Sequence, residues 1–442
     1  MKEIMHRFFP LSIILVLGLG GCYSKSPLIV ETSPSMTPLH MPLSTTPSEG
    51  ESADETLQTD DIKLVADLKD LDIDSFYNQS YLRLWGRDPE TVTILGLANI
   101  FSQNNDQLTD ISDSYILETQ VMEKEILALL NLYDRQSMTA DQQVTYDVFK
   151  WYLVDLVSSH EFMYNDYLIN ATVYSVHTSL LQLFTDYQPL KTEQDAKAYI
   201  ARLFQVDRKM SQVVEGLNRR AEAGVILPSF LLSWVTQEIN QIAQSEAQST
   251  PYYRAFYDKT KIIPGLSEQD RTQLLEEAKE AINSSVLPGY KKLVLCLSDQ
   301  SQKATNDAGV WKFPNGKAYY AYTLRHYTTT VMNADQIHAL GKEQLDRIHA
   351  DMRVIFDQLG YPQNKDLPGL FEKVAQDSGM VPGDEMVSVF EGLISNAETL
   401  FQDAFDIRPK AKVIVQGAEL GGYYMPPAVD GSRPGIFYAT IS

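Results

Sequence analysis

The histidines are candidates for metal binding, because a zinc-dependent hydrolase needs imidazoles that can reach one ion. A zinc-peptidase helix carries histidines at positions i and i+4, with a glutamate directly after the first, so that both rings face the metal. His160 and Glu161 begin this pattern, but Tyr164 stands where the second histidine would be. His338 and His349 share a helical face, yet the helix between them would separate them by about 16 Å. The sequence therefore predicts no metal site among these residues.

A serine motif and a thiol are the other candidates for catalysis. Residues 431–435 read GSRPG, but the serine is misplaced for a nucleophile elbow and Arg-Pro cannot open a helix, so we predict a turn. Cys296 lies in the apolar run of residues 293–297, which indicates a buried and inert thiol. Acidic residues are too numerous for any carboxylate pair to stand out. We predict no catalytic residue in this chain.

The densest group of candidate binding residues is residues 316–330, which read GKAYYAYTLRHYTTT. On a helix, Tyr320, Arg325 and Tyr327 cannot all face one side, so the segment does not imply a single cluster. Aromatic residues at helical spacing usually belong to a core, and a ligand-lining role is the alternative. We name Tyr320, Arg325 and His326 as candidate substrate-binding residues.

Two segments resemble a known family. The first is residues 307–330, DAGVWKFPNGKAYYAYTLRHYTTT, continuing into residues 337–341, IHALG. The second is residues 423–438, YYMPPAVDGSRPGIFY. Together they resemble domain-of-unknown-function family 885, and the likeness covers roughly residues 61–442.

The resemblance implies a helical fold like that of zinc metallopeptidases of the His-Glu-x-x-His clan. In the family, a His-Glu-x-x-Pro-Gly-His-His helix follows the Arg-Pro-Gly strand and an acidic ligand comes later; this sequence contains neither. A zinc-bound water would attack a peptide carbonyl, and the strand at Tyr438 could align an extended peptide by main-chain pairing. For the supporting side of this cleft we name Tyr424, Asp430, Arg433 and Tyr438. A turn-stabilising ion pair is the alternative for Asp430 and Arg433.

Helical patterns predict the elements that position these residues. They dominate from Asp61 to about Asp406. Helix starts are predicted at Thr139, Thr192, Ser267 and Asn333, and Pro228 suits a first turn. Gly360 is predicted to end the helix that Asn333 begins. Two apolar stripes are predicted to be buried, one at Leu64, Val65, Leu68 and Leu71 and one at Val144, Val148, Trp151 and Tyr152.

The pattern changes near Lys410. Residues 411–415 and 435–441 are β-branched and aromatic runs separated by prolines and Asp-Gly, which predicts strands. The predicted fold class is mainly α: a large multi-helix body with a few β-strands at the C-terminal end, an incomplete metallopeptidase-like fold. Because the sequence stops at Ser442 inside an apolar strand, we expect further C-terminal sequence.

The first sixty residues carry an export signal and a tether. Lys2 and Arg7 flank the start of an apolar run, residues 8–19, which is too short to span a bilayer comfortably. Leu-Gly-Gly before Cys22 is the pattern of a bacterial lipobox, although an ordinary signal peptide with an incidental cysteine is the alternative. We predict a signal peptide over residues 1–21, lipidation at Cys22, and a disordered Ser/Thr/Pro-rich tether over residues 22–60.

The chain is acidic, with 37 Lys and Arg against 58 Asp and Glu and a net charge of −21. Such a surface repels polyanions, so we expect no nucleic-acid partner. The excess acid is otherwise typical of a solvated exterior.

Two functional hypotheses follow from these residues and the resemblance. In the first, residues 61–442 are the N-terminal portion of a zinc-dependent peptidase, lipid-anchored on the extracytoplasmic side of the bacterial envelope. Zinc is then expected only together with the missing C-terminal region, and this chain alone should be inactive. In the alternative, the chain is a non-catalytic envelope lipoprotein that binds peptides or a protein partner.

Overall fold

The computed structural model describes residues 62–172, 174–362, 364–379, 381–401, 405, 410–418 and 421–441. The predicted signal peptide, Cys22 and the tether lie outside the described residues. Most of the described chain is α-helical, so the predicted mainly α fold class is confirmed.

The helices fall into a long series before a small C-terminal sheet. They are α1 (Ile73–Trp85), α2 (Pro89–Ile94), α3 (Ala98–Phe101), α4 (Asp113–Leu130), α5 (Ala140–Ser159), α6 (Val176–Gln182), α7 (Glu193–Leu203), α8 (Val206–Glu222), α9 (Ser229–Ala243), α10 (Pro251–Thr260), α11 (Glu268–Ala281), α12 (Leu287–Ser301), α13 (Gly316–Thr328), α14 (Ala334–Gln358), α15 (Leu367–Ser378) and α16 (Met386–Leu400). The strands are β1 (Val413–Ala418), β2 (Tyr423–Met425) and β3 (Gly435–Thr440).

A π-helical turn, Ile282–Val286, joins α11 to α12 without a break. Within it, the buried Ser285 accepts a hydrogen bond from the backbone N–H of Asp207 at 2.9 Å. Asp207 lies in the first turn of α8, where backbone N–H groups have no partner within the helix. The π-helical turn thus provides a hydrogen-bond acceptor for an N–H group in the first turn of α8.

The four predicted helix starts are confirmed. The side chains of Thr139, Thr192, Ser267 and Asn333 each accept a hydrogen bond from the backbone N–H three residues further on. At Thr139 and Thr192 the side chain of that third residue bonds back, which completes a capping box. Gly360, with φ +80°, follows the end of α14 as predicted.

The stripe predicted on α5 is wrong for three of its four residues, whereas the fourth, Tyr152, packs against the core. Val144, Val148 and Trp151 are 64%, 36% and 43% exposed. The buried side of α5 instead carries Tyr146 and Leu153, which join a core with residues of α1 and α4. Periodicity correctly indicated a helix here, but both faces of α5 carry apolar residues and the pattern did not distinguish them.

The stripe predicted before α1 is confirmed only in part. Val65 and Leu68 are fully buried, whereas Leu64 is 37% exposed. The segment forms a 3-10 turn, Ala66–Leu68, rather than a longer helix. The spacing of the two buried residues fits one turn of either helix type, which explains the ambiguity.

The chain divides into two compact units. Of the described residues, those within Glu55–Ile337 and Ala428–Ser432 form the larger unit. Those within His338–Pro427 and Arg433–Ser442 belong to the smaller unit. The main core of the larger unit includes three fully buried tyrosines, Tyr199, Tyr252 and Tyr290. Their hydroxyls are paired: Tyr199 donates to the Tyr252 carbonyl at 2.8 Å, and the Tyr252 and Tyr290 oxygens are 2.6 Å apart.

The smaller unit contains a three-stranded sheet in the order β1-β3-β2. β3 pairs in parallel with β1, from Val413 opposite Gly435, and antiparallel with β2. α16 packs against β1 and β3, and the rings of Phe390 and Phe437 have centroids 5.1 Å apart. The two predicted strands are confirmed, whereas the three-residue β2 was too short for its sequence pattern to reveal.

None of the helices that the structure describes has the length and apolar character needed to cross a bilayer.

Candidate functional site

The tyrosine-rich segment forms α13, which packs beside α5 and the 3-10 turn that follows it. Gly316 opens α13 where the chain passes so close that an added Cβ would lie 1.9 Å from the carbonyl oxygen of Val310. From this start, Tyr319 and Tyr322 lie one turn apart on the same face. Their ring centroids are 5.5 and 5.3 Å from that of Phe162, which is contributed by the 3-10 turn.

His326 lies on α13 and contacts a buried carboxylate of α5. Its Nδ1 is 2.7 Å from Asp155 Oδ2, and the Tyr322 hydroxyl donates to the same oxygen at 3.4 Å. The Asp155 side chain is 8% exposed and that of His326 is 43% exposed. Asp155 Oδ1 is buried and has no hydrogen-bond partner among the described residues. The arrangement orients the imidazole and joins α13 to α5.

The other two candidates on α13 have different surroundings. Tyr320 is 46% exposed. The Arg325 guanidinium lies 5.8 Å from the centroid of the Tyr322 ring. Substrate binding by Tyr320, Arg325 and His326 stays a prediction.

A cavity of about 370 Å³, here called the tyrosine cavity, lies beside α4, α8 and α13. It is lined by Ile111, Asp113, Ile116, Gln120, Ser159, Phe162, Met163, Asp166, Leu168, Gly216, Arg220, Tyr319 and Tyr322. Tyr319 and Tyr322 were not among the residues predicted from the sequence. The signal that could have found them is their shared face on α13, because residues three apart on a helix are neighbours.

The polar groups of the tyrosine cavity are held in place. Arg220 Nη2 is 2.5 Å from Asp166 Oδ1 and also donates to the carbonyl of Met163 at 3.2 Å. The Tyr164 hydroxyl donates to Asp113 Oδ2 at 2.8 Å. A cavity with apolar and aromatic walls and a few fixed polar groups is typical of sites that bind side chains or small molecules.

Burial also affects the acid–base behaviour of the cavity wall. It raises the pKa of Tyr322 to about 12, and the negative charge of Asp155 acts in the same direction. Tyr322 therefore stays protonated at neutral pH and can donate a hydrogen bond.

Two tyrosines of the strand motif lie in the sheet of the smaller unit. Tyr438 on β3 stacks against Tyr423 on β2, with ring centroids 4.4 Å apart. Tyr424, on β2, is half exposed. A Cβ added to Gly435 would lie 2.7 Å from the Tyr424 hydroxyl oxygen, so this ring passes directly over the glycine backbone. Gly435 of the motif therefore leaves room for Tyr424, a tyrosine of the same motif.

The expectation that the strand at Tyr438 aligns a peptide is wrong for this sheet. β3 is the central strand, and Tyr438 is paired with Gln416 of β1 and Tyr423 of β2. A strand paired on both sides has no main-chain groups left for a third strand. Among the described residues, only β1 and β2 form edges of the sheet.

Asp430 and Arg433 fall in different units. Asp430 Oδ1 accepts a hydrogen bond from the Ser432 N–H at 2.8 Å, within a turn where Gly431 has φ +75°. Arg433 Nη2 donates to the Pro426 carbonyl at 3.2 Å. Each side chain thus bonds to the backbone of its own segment, and their ion pair stays a prediction.

The loop around Asp430, residues 428–432, is bonded within the larger unit. The Val429 N–H donates to the Leu95 carbonyl at 2.9 Å, and Lys191 Nζ donates to the Ser432 carbonyl at 3.2 Å. A Cβ on Gly96 would lie 2.7 Å from Asp430 Oδ1. Because Gly96 also has φ +67°, only glycine suits this close approach.

The described residues do not fit a zinc site. They include no group of three or more His, Cys, Asp or Glu side chains placed to hold a metal ion. His160 Nε2 lies 2.6 Å from Glu123 Oε2, with both side chains nearly buried. Cys296 is buried as predicted, and burial raises the pKa of its thiol to about 11, which keeps it protonated and unreactive.

Fold and cavity together define a mainly helical protein with a small mixed sheet near the end of the described chain. The family model for bacterial proteins of unknown function, DUF885, matches residues 89–442. The match covers most of the chain, so this chain belongs to the DUF885 family.

Two of the solved structures that share this fold are named as lipoproteins. One is "the putative lipoprotein from Colwellia psychrerythraea", at 20% identity and a TM-score of 0.71, covering 83% of this chain and 66% of that one. The other is "a putative lipoprotein of unknown function from Shewanella oneidensis", at 14% identity and a TM-score of 0.55, covering 84% of this chain and 65% of that one. This chain therefore spans about two thirds of the length of either structure. No curated protein sequence matches it.

Proposed function

We propose that this chain is the peptide-holding portion of a zinc-dependent peptidase of the bacterial envelope, anchored by a lipid on Cys22. The family resemblance supports a peptidase, and the metal ligands would come from sequence that this chain lacks. Since the described residues do not fit zinc, they supply positioning and no catalytic step. The observation that carries the proposal is the edge of β1 that pairs with no other strand among the described residues.

The hydrogen bonds of β1 show which of its residues face that edge. The carbonyls of Lys412 and Ala418 accept hydrogen bonds from β3 at 3.0 Å. Alternate residues of a strand direct their main-chain groups to the same side. Val413, Val415 and Gly417 therefore direct N–H and C=O groups away from β3, where no other described strand lies. An extended peptide can add to such an edge by main-chain pairing.

The test replaces one of these donors. Val413→Pro removes an N–H group at the first residue of an edge strand, where proline is otherwise tolerated. We expect binding of fluorescently labelled, unstructured decapeptides to weaken by about tenfold, since one main-chain hydrogen bond is lost and the ring opposes pairing. Val413→Thr keeps the N–H and should bind within about twofold of the wild type. Equal affinities for both variants would contradict pairing at β1.

The peptidase itself has a separate test. The 442-residue chain should hold no stoichiometric zinc and cleave no peptide, whereas the chain extended by the codons that follow Ser442 should do both. Zinc content by atomic absorption and chelator-sensitive hydrolysis give the answer. If the 442-residue chain itself held stoichiometric zinc and cleaved peptides, the proposal that the zinc ligands lie outside this chain would be wrong.

The tyrosine cavity favours the second candidate, a non-catalytic lipoprotein that binds peptides or a protein partner. Tyr319→Ala would remove a cavity wall and should weaken decapeptide binding by about tenfold. Tyr327→Ala is the matched control, because Tyr327 is an exposed tyrosine on the same helix that does not line the cavity. If Tyr319→Ala has no effect while Val413→Pro does, the first candidate is favoured.

A further inference from the structure

An irregular segment between α3 and α4, residues 105–111, is fixed to two helices by its backbone. Four long polar side chains bond to main-chain groups of this segment. They are Arg202 of α7, Gln205 directly before α8, and Lys209 and Gln212 of α8. Loops of this kind are usually more mobile than the elements they connect. In this one, five main-chain groups are hydrogen-bonded to these side chains, two of which, Arg202 and Lys209, are buried.

Arg202 is the most deeply buried of these four side chains. It is fully buried, and its guanidinium donates to the carbonyls of Gln107 and Pro89 at 2.9 and 3.1 Å and to Thr93 Oγ1 at 2.6 Å. It also donates to Gln188 Oε1. Burial lowers the pKa of Arg202 to about 10, so it remains a cation at neutral pH although all of these acceptors are neutral.

A second cavity, of about 410 Å³, lies against this segment. Its volume is within the range of about 300–1,000 Å³ that small-molecule sites occupy. Three of its side chains, those of Asn104, Asp106 and Arg208, make no hydrogen bond to another described residue, and two of them, Asn104 and Arg208, are exposed. The backbone of the segment is thus hydrogen-bonded, whereas these three polar side chains remain available to a ligand.

The charges of the cavity balance. Arg87 and Arg208 line it together with Asp106 and Asp110. Arg87 is also occupied within the protein: it lies 3.7 Å from the centroid of the Tyr115 ring and pairs with Glu118 at 3.1 Å. A phosphate or other anion would need an excess of positive charge, which this lining does not have.

The lining is also poor in apolar surface. Apart from Tyr115, only Leu108 and Pro89 offer sizeable apolar side chains, and most of the remainder are amides, carboxylates and guanidinium groups. Peptide side chains and nucleobases bind best where apolar or aromatic walls enclose them. Planar amide, carboxylate and guanidinium groups offer paired donors and acceptors, which suit adjacent hydroxyl groups.

We propose that this cavity binds a neutral saccharide of one or two rings. The hydroxyl groups of the sugar bond to Asn104, Asp106 and Arg208, and the segment 105–111 is fixed in advance so that binding costs little ordering. This site is separate from β1 and the tyrosine cavity in its residues, and its chemistry does not depend on the peptidase.

Calorimetric titration of the full chain with N,N′-diacetylchitobiose and with maltose tests the proposal, with inorganic phosphate as the anionic comparison. At least one disaccharide should bind in the millimolar range or tighter. Asp106→Ala and Arg208→Ala should each weaken that binding by about tenfold or more, as expected for a lost hydrogen bond to a charged group. Arg254→Ala, an exposed arginine of α10 outside the cavity, should leave it unchanged.

Three outcomes would overturn the proposal. The first is the absence of binding by both disaccharides. The second is disaccharide binding that is unchanged in either cavity variant. The third is phosphate binding that Arg208→Ala abolishes and Asp106→Ala strengthens, since this identifies an anion site. Neither side chain makes a hydrogen bond to another described residue, so both variants should fold. Asp106→Ala should unfold at a slightly lower temperature, because the negative charge of Asp106 favours the cationic form of the buried Arg202.

Discussion

His177 is a buried imidazole that the fold keeps neutral. Its Nδ1 lies 2.7 Å from Ser175 Oγ, and its side chain is 4% exposed. Burial lowers the pKa of His177 below its ordinary value of 6.5, although Glu238, 3.8 Å from Nε2, acts in the opposite direction. The folded state therefore binds this proton less readily than the unfolded state does, and protonation favours unfolding.

The lowered pKa of His177 predicts that the stability of the protein depends on pH. The free energy of unfolding should lose the contribution of His177 as pH falls from about 6.5 towards the lowered folded-state pKa, by at most about 1.4 kcal/mol per pH unit. His177→Asn should remove that part of the slope and also lower stability at pH 7.5, because Ser175 changes its partner. Urea unfolding between pH 7.5 and 5.5 measures both. An identical slope in variant and wild type would exclude His177 as its source.

At the scale of the elements, local chemistry could be predicted and distant packing could not. The caps at Thr139, Thr192 and Ser267 depend on residues three apart, so the sequence contains the whole interaction. The tyrosine cavity depends on Phe162 meeting Tyr319, which only the packing of α13 brings together. For the same reason, the sequence did not reveal the contacts of the segment 105–111. These contacts depend on how α7 and α8 pack against it.

Two glycines at helical positions give opposite predictions for the same substitution. Gly316→Ala should destabilise the fold by about 2–3 kcal/mol, because the added Cβ meets a backbone carbonyl that cannot move alone. Gly341→Ala, inside α14 with nothing within 4 Å of the added Cβ, should stabilise by about 0.5–1 kcal/mol. Thermal unfolding of the two variants compares them. Similar effects at both sites would mean that the contact at Gly316 is not rigid.

At the scale of the whole molecule, attachment to a membrane depends on the proposed lipid at Cys22. Cells grown with labelled palmitate should yield a labelled protein that sediments with membranes, and Cys22→Ser should abolish both the label and the sedimentation, because acyl chains provide the anchoring energy. Cys296→Ser is the matched control, since Cys296 is buried. A label that persists in Cys22→Ser and disappears in Cys296→Ser would contradict the proposed anchor.

The π-helical turn between α11 and α12 sets where the length of this helix can change. Such a turn takes up one residue more than an α-helical turn, so deletion of one residue from Ile282–Val286 would restore regular winding and leave α12 facing the same way. Tyr290 and Leu293, now fully buried, would then stay in the core. A one-residue deletion within regular α12 would instead turn all later residues by about 100° and take buried side chains out of the core.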